Sequence, residues 1–184
     1  MALTTEQVLG WTRVGVLLLG MGWAAWMDHK ERRVSNNHWL VWVKPAIFLW
    51  CLELLAREAD WTIFLTASAV IAYASVAVIG RPTIKDLLSG NRVDVLVSFW
   101  YLISFVGVIV GMGKYSDIDL LDVVLGEATG MAALYWSTLS GLVVIFIIDF
   151  GWRLRLIHGG ADAKALMWVC LLYTSDAADE RLSV

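Results

Sequence analysis

The chain alternates between long apolar runs and short polar segments. Apolar residues follow one another within each run without strict alternation, which disfavours a β-barrel. Five runs approach or reach the roughly 20 residues that an α-helix needs to cross a bilayer, and a sixth begins at Ala161 and is cut short. The pattern predicts an all-α, polytopic integral membrane helix bundle with five complete transmembrane helices and a truncated sixth. The five runs are Val14–Met27, Trp39–Ala56, Trp61–Ile79, Val93–Met112 and Thr129–Phe150.

Composition agrees with this pattern. Hydrophobic residues make up 59% of the 184 residues and charged residues only 17%, and the mean hydropathy is +0.70. A soluble domain carries about 25% charged residues, and a soluble core of this length could not bury so much apolar surface. No internal repeat or linker stands out, so we expect one membrane-embedded domain.

The last part of the chain differs in character from the rest. The sixth run turns polar soon after Val169, and the stretch from Cys170 onward resembles the translation of a sequencing-library adapter. We therefore expect the membrane domain to comprise residues 1–169 and the residues 170–184 to be a non-native tail. On this interpretation the natural chain continues past Val169 into a complete sixth helix.

Lysine and arginine concentrate in alternate loops. The other loops are acidic and hold only Arg57 and Lys114, while Arg13 lies near the start of the first helix. Because cytoplasmic loops carry an excess of Lys and Arg, we expect an integral plasma-membrane protein with its N-terminus outside. The basic loops contain Lys30, Arg32, Arg33, Arg81, Lys85, Arg92, Arg153, Arg155 and Lys164.

Two carboxylates stand at the ends of apolar runs on the expected cytoplasmic side. Asp28 closes the first run and Asp162 opens the sixth; the four crossings between them return the chain to the same side. Two acids brought close together share one proton, so that one can deprotonate water while the other polarises a peptide carbonyl. Gly159, Gly160 and Ala161 leave room for a substrate backbone beside Asp162. The pair predicts the chemistry of an aspartic peptidase.

Each acid also has a plainer interpretation. Asp28 could form a solvated ion pair with Lys30 or Arg32, which lie just beyond it in the sequence. Asp162 could cap a helix N-terminus, where the backbone amides and the helix dipole favour a carboxylate.

Other polar side chains predict no further site. Asp149 closes the fifth run, and we expect it to pair with Arg153 four residues later. The two cysteines lie far apart and the three histidines are scattered, so we expect neither a disulfide nor a metal site; these residues are Cys51, Cys170, His29, His38 and His158.

The segments around the two acids resemble the motifs of aspartic peptidases that mature type IV pilin-like precursors, and the archaeal preflagellin (prearchaellin) peptidases most closely. Residues 28–36 read DHKERRVSN, similar to a D-x-K-x-R-x-V-P-N type segment, with Ser35 where proline is usual. Residues 159–164 read GGADAK, similar to a G-x-G-D motif followed by lysine, with Ala161 replacing the last glycine. The resemblance implies a GxGD-type membrane protease whose catalytic pair is Asp28 and Asp162 and whose site is shaped by Gly159, Gly160, Ala161 and Lys164.

The resemblance also implies a substrate. Such enzymes remove a short basic leader from archaellin- or type IV pilin-like precursors at the cytoplasmic membrane face, without a cofactor. The expected partners are these precursor proteins and the lipid bilayer, and no nucleic acid. The four-cysteine zinc loop of bacterial relatives has no counterpart here, so we expect cleavage without methylation. The family often has about two crossings between its acids, whereas this chain has four.

Two other functions remain open. A presenilin-like intramembrane protease shares the GxGD motif, but it usually places its first acid inside an apolar helix beside a tyrosine, whereas Asp28 follows Met27 and precedes a basic loop. A non-enzymatic, proton-coupled carrier could use the same two carboxylates. The peptidase interpretation requires the first and sixth runs to be neighbours in the bundle.

Overall fold

A computed structural model describes residues 5–79, 92–118, 122–123 and 129–173. Within these residues six α-helices are defined, and the predicted all-α bundle is confirmed. The helices are α1 (Thr5–Glu31), α2 (Asn36–Ala56), α3 (Trp61–Ile79), α4 (Arg92–Lys114), α5 (Gly130–Arg153) and α6 (Gly160–Tyr173).

The connection between α1 and α2 is fixed by the way each helix ends. Arg32 follows α1 in the left-handed region, with φ 55°, and its backbone N–H donates to the Asp28 carbonyl at 2.8 Å. This is the hydrogen bond of an αL-type helix end. Ser35 is the N-cap of α2 and accepts a hydrogen bond from the backbone N–H of His38 at 3.4 Å. As a result, α1 and α2 form a tight helical hairpin.

In the residues that the structure describes, four helices are long and apolar enough to cross a membrane, so the chain has the character of a membrane-embedded bundle. This number differs by one from the five complete spans predicted. The predicted span outside the four is α3, although its 19 residues contain no charged side chain. The four long segments are Gln7–Glu31, Asn36–Ala56, Arg92–Lys114 and Gly130–Arg153.

Large apolar side chains cover the outside of the bundle. Leu18, Phe99 and Ile147, on three different helices, are each more than half exposed. A soluble monomer rarely exposes a contiguous apolar patch larger than a few hundred Å², whereas lipid tails are as apolar as these side chains. The outer surface is therefore suited to lipid.

Helix α3 lies at the centre of the bundle and packs against α2, α4, α5 and α6. Its fit against α4 is close, because a Cβ added to Gly107 would overlap the side chain of Leu65. The Ser68 hydroxyl accepts hydrogen bonds from Trp100 at 2.6 Å and from Ser104 at 3.0 Å. Small residues and hydrogen bonds of this kind are the usual means of joining transmembrane helices. Protein therefore surrounds much of α3.

The first helix packs at the edge of the bundle, against α2 and α6. Gly20 of α1 faces the ring of Trp168 of α6, with no room for a Cβ between them. The first and sixth runs are thus neighbours, as the peptidase interpretation requires. The three helices share one buried group of side chains, termed the α1–α2–α6 cluster, which consists of Ala24, Trp39, Ala46, Trp168 and Leu172.

The sixth helix continues past the predicted start of the tail. It reaches Tyr173, and Leu171 and Leu172 are buried in the bundle. The remaining residues of the predicted tail, 174–184, lie outside the described residues, so the tail boundary stays a prediction.

Candidate functional site

Both predicted motifs lie at one end of the bundle, where α1 ends and α2 and α6 begin; we term this the motif end. The ammonium group of Lys164, in the first turns of α6, donates a hydrogen bond to Asn36 Oδ1 at 2.6 Å. Asn36 is the first residue of α2 and the last residue of the segment that begins with Asp28. A direct side-chain contact therefore joins the two motifs.

Asp28 lies in the last turn of α1 and is exposed. Its backbone carbonyl accepts a hydrogen bond from the Arg32 N–H. Its carboxylate takes no part in the hydrogen bonds that end the helix. Lys30, one of the two suggested ion-pair partners, instead places its ammonium group 4.9 Å from the centre of the Trp26 ring. Among the described residues no ion pair involves Asp28. The described residues therefore do not contain the ion pair suggested between Asp28 and Lys30 or Arg32.

Asp162 lies in the first turn of α6 and is also exposed. Its carboxylate bends back over Gly159, because a Cβ built on that glycine would overlap Asp162 Oδ2. In the described part of the chain, the Asp162 carboxylate makes no hydrogen bond to a backbone amide. It therefore stabilises the N-terminus of α6 only through its charge, which interacts with the helix dipole. Gly160 has ordinary van der Waals contact with Trp152 of α5, with 3.5 Å between the built Cβ and the ring. The position of the Asp162 carboxylate therefore requires glycine at residue 159, whereas residue 160 has room for a Cβ.

The levels of the two acids follow from a contact between α1 and α6. Gly20 of α1 lies against the Trp168 ring of α6. Asp28 is eight residues beyond Gly20, and Asp162 is six residues before Trp168. Since α1 ends and α6 begins at the motif end, both steps run toward that end, by about 12 Å and about 9 Å along the helix axes. The acids therefore lie within about one helical turn of each other in level.

A third acid near the motif end is held quite differently. Asp149 is only 4% exposed; its Oδ2 accepts a hydrogen bond from the Tyr73 hydroxyl at 2.9 Å and from Arg153 Nε at 2.8 Å. The predicted pairing with Arg153 is confirmed. Tyr73 had no signal in the sequence, because an aromatic residue within an apolar helix resembles ordinary packing. Asp149 joins α5 to α3 and is not available to a substrate.

Charged residues also meet inside the opposite end of the bundle. Arg13 and Glu53 form a buried ion pair between α1 and α2, and Arg57 lies 3.0 Å from the same carboxylate. The sequence placed Arg13 near a helix start but gave no partner for it, because forty residues separate it from Glu53. Periodicity within one run does not identify such a contact.

The arrangement can support acid–base chemistry at an exposed surface. Two carboxylates at similar levels, both free of ion pairs among the described residues, are open to water and to an extended peptide. No group of three or more histidine, cysteine or acidic side chains that could hold a metal ion is found in the ranges that the structure describes. Comparison of the chain with protein-family models, with curated proteins and with solved structures finds no match.

Proposed function

We propose that the protein is a membrane aspartic endopeptidase that removes the leader peptide of archaellin- or type IV pilin-like precursors. The observation that carries the proposal is the juxtaposition of the two motifs at one end of the bundle. There α1 and α6 are neighbours through Gly20 and Trp168, and the Lys164–Asn36 hydrogen bond links the segments of Asp28 and Asp162. The resemblance of both segments to peptidase motifs gives this geometry its chemical meaning.

The chemistry follows from one proton shared between two carboxylates. The ionised acid takes a proton from water while the water oxygen attacks the peptide carbonyl carbon, and the protonated acid donates to the carbonyl oxygen. Collapse of the tetrahedral intermediate breaks the C–N bond, and the departing nitrogen takes up a proton from the acid that received it. Exposure of both carboxylates suits this reaction, because a peptide must reach them from the aqueous phase.

In the membrane, the motif end faces the cytoplasm and the N-terminus lies outside. The basic loops support this orientation through the positive-inside rule, with α3 completing a fifth crossing inside the bundle and α6 beginning a sixth. A basic leader stays on the cytoplasmic side, so its cleavage site meets the two acids at that surface. Exposed carboxylates attract a basic leader over a distance of about 10 Å or less at physiological salt.

A cleavage assay in membranes tests the proposal. The substrate is a precursor with a basic leader, a glycine before the cut and an apolar helix after it. We expect the wild type to shorten it, and Asp28→Asn and Asp162→Asn each to abolish the product. Glu31→Gln is the matched control, since Glu31 is also an exposed acid in the last turn of α1, and this variant should cleave at the normal rate. Normal cleavage by either Asn variant would exclude the pair of acids.

A proton-coupled carrier that uses the same acids makes the opposite prediction. In that case no precursor is cut by the wild type, while both Asn variants lose a proton-driven uptake that the wild type supports. Parallel measurement of cleavage and uptake in the same vesicles separates the two functions.

A further inference from the structure

A buried ion pair joins α1 to α2 at the end of the bundle opposite the motif end. Arg13 is 3% exposed and Glu53 4% exposed, and the guanidinium group of the one contacts the carboxylate of the other. Arg57, the C-cap residue of α2, adds a second cation 3.0 Å from Glu53 Oε1. Ionised side chains inside membrane-embedded helices are costly and persist only when paired. The contact therefore favours one relative position of the two helices.

Besides the ion pair, a hydrogen bond between the His38 side chain and the Gly20 backbone joins α2 to α1; the remaining contacts of α1 in the described residues are mostly apolar. Ala24, Val16 and Leu17 pack with the α1–α2–α6 cluster, and Gly20 receives the ring of Trp168. Between helices in lipid, apolar contacts have no hydrophobic driving force, because lipid tails are equally apolar. Much of the outer face of α1 also meets lipid, as the exposure of Trp11 illustrates. Apolar packing alone thus opposes sliding of α1 only weakly.

The level of Asp28 depends on the axial position of α1. Arg13 and Asp28 belong to the same rigid helix, and a slip of one helical turn would move Asp28 by about 5.4 Å relative to Asp162. The same slip would draw the Arg13 guanidinium away from Glu53 in a medium of low dielectric constant, where an unpaired charge is most costly. The ion pair opposes the displacement that would separate the two acids.

We propose that the Arg13–Glu53 ion pair sets the register of α1 and thereby holds Asp28 level with Asp162. Arg13 and Glu53 are positioning residues of the peptidase, a role that rests on the proposed function. They fix the axial position of α1 from the end of the bundle opposite the motif end, and neither touches the substrate.

Two double variants separate register from simple stability. Arg13→Met with Glu53→Met removes both charges, and replacement of a buried ion pair by apolar side chains commonly preserves folding. Arg13→Gln with Glu53→Gln removes the charges but keeps a directional hydrogen bond between the helices. We expect the Met pair to lower kcat by about 100-fold, as a displacement of an ångström or more does, with KM changed less than about threefold. The Gln pair should restore kcat to within about threefold of the wild type.

A cross-linking measurement reports the register without any enzymatic activity. Cysteines at Ala24 and Ala165, in a background where Cys51 and Cys170 are replaced by alanine, join α1 to α6 through a bifunctional thiol reagent. The Met pair should lower the yield of this cross-link by about threefold or more, and the Gln pair should not, since only apolar surfaces slide freely.

The outcomes distinguish the two proposals. A Met pair with normal kcat, or with an unchanged cross-link, overturns the register role. A wild type that never cleaves the precursor overturns the peptidase function, while a cross-link lost in the Met pair and kept in the Gln pair still supports the register. A Gln pair as impaired as the Met pair in both measurements contradicts the proposal, because a directional contact would then not suffice.

Discussion

Glu53 and Asp60, at the end of the bundle opposite the motif end, differ from Asp28 and Asp162 in the way their carboxylates are held. Glu53 lies between two arginines and Asp60 pairs with Lys114. At the motif end, Asp28 and Asp162 are exposed and, among the described residues, have no ion-pair partner. A carboxylate held by a cation is committed to structure, whereas an exposed carboxylate outside any ion pair can exchange protons with water. The difference separates acids that hold the fold from acids that are open to water.

Asp149 shows that location alone does not decide the role. It lies near the motif end, like Asp28 and Asp162, yet it is buried and bound by Tyr73 and Arg153. Its surroundings resemble those of Glu53 and Asp60 at the opposite end. The contrast between paired and unpaired carboxylates therefore exists within the motif end itself, where it can be tested directly.

The largest effect is expected from exchanging the unpaired acids for amides. Asp162→Asn removes a group that must gain and lose a proton, so cleavage of the precursor should fall by about 10²–10⁴-fold. Asp149→Asn keeps the shape and much of the hydrogen bonding of a structural acid, and the rate should stay within about threefold of the wild type. Initial rates in membranes containing equal amounts of protein provide the measurement. Equal losses in the two variants would remove the distinction between paired and unpaired acids.

Thermal stability should show the reverse ranking, with a larger loss when a paired acid is changed than when an unpaired acid is changed. Glu53→Gln removes the carboxylate charge that the buried Arg13 guanidinium contacts, and breaking a buried pair in this way costs about 3–5 kcal/mol. Asp28→Asn alters an exposed side chain outside any ion pair in the described residues, and the melting temperature should not change. Thermal unfolding in detergent, followed by circular dichroism, compares the two. A Glu53 variant with the melting temperature of the wild type would mean that the Arg13–Glu53 pair contributes little to the fold.

The glycine beneath Asp162 should affect activity more than stability. The φ of Gly159 lies outside the left-handed region, so alanine is compatible with the backbone, but its Cβ would push the Asp162 carboxylate aside. We expect Gly159→Ala to lower kcat by about 10-fold or more, because small misplacements of a reacting group are costly. Gly160→Ala is the control, since its Cβ has only ordinary contact with Trp152. The hypothesis fails if both alanine variants cleave at the same rate.

The sequence was most informative about features that are local along the chain. Continuous apolar runs predicted the helices, and α3 begins and ends at the residues expected, Trp61 and Ile79. The Asp149–Arg153 pair was also predictable, because a spacing of four residues determines that two side chains meet on a helix. Counting the crossings placed Asp28 and Asp162 at the same end of the bundle before any contact was known.

Contacts between distant segments could not be read from hydropathy. The Lys164–Asn36 and Arg13–Glu53 contacts link residues on different helices, and their choice depends on how the helices rotate and slide against one another. The five predicted spans also differ from the four found in the described residues, because α3 is uncharged along its whole length and yet packs at the centre of the bundle. Apolarity reports burial in lipid and burial in protein alike.

The smallest effect is expected from removing the hydrogen bond that Tyr73 donates to Asp149. Tyr73→Phe removes one of the hydrogen bonds to Asp149 Oδ2 but leaves the ion pair with Arg153, so the carboxylate keeps its principal partner. Interhelical hydrogen bonds in membranes contribute about 0.6 kcal/mol on average, and the melting temperature should fall only slightly. Precursor cleavage should not change, because Asp28 and Asp162 are unaffected. A loss of cleavage comparable to that of Asp162→Asn would instead place the Tyr73–Asp149 pair in the proton chemistry. The division between structural acids and those proposed to be catalytic would then be wrong.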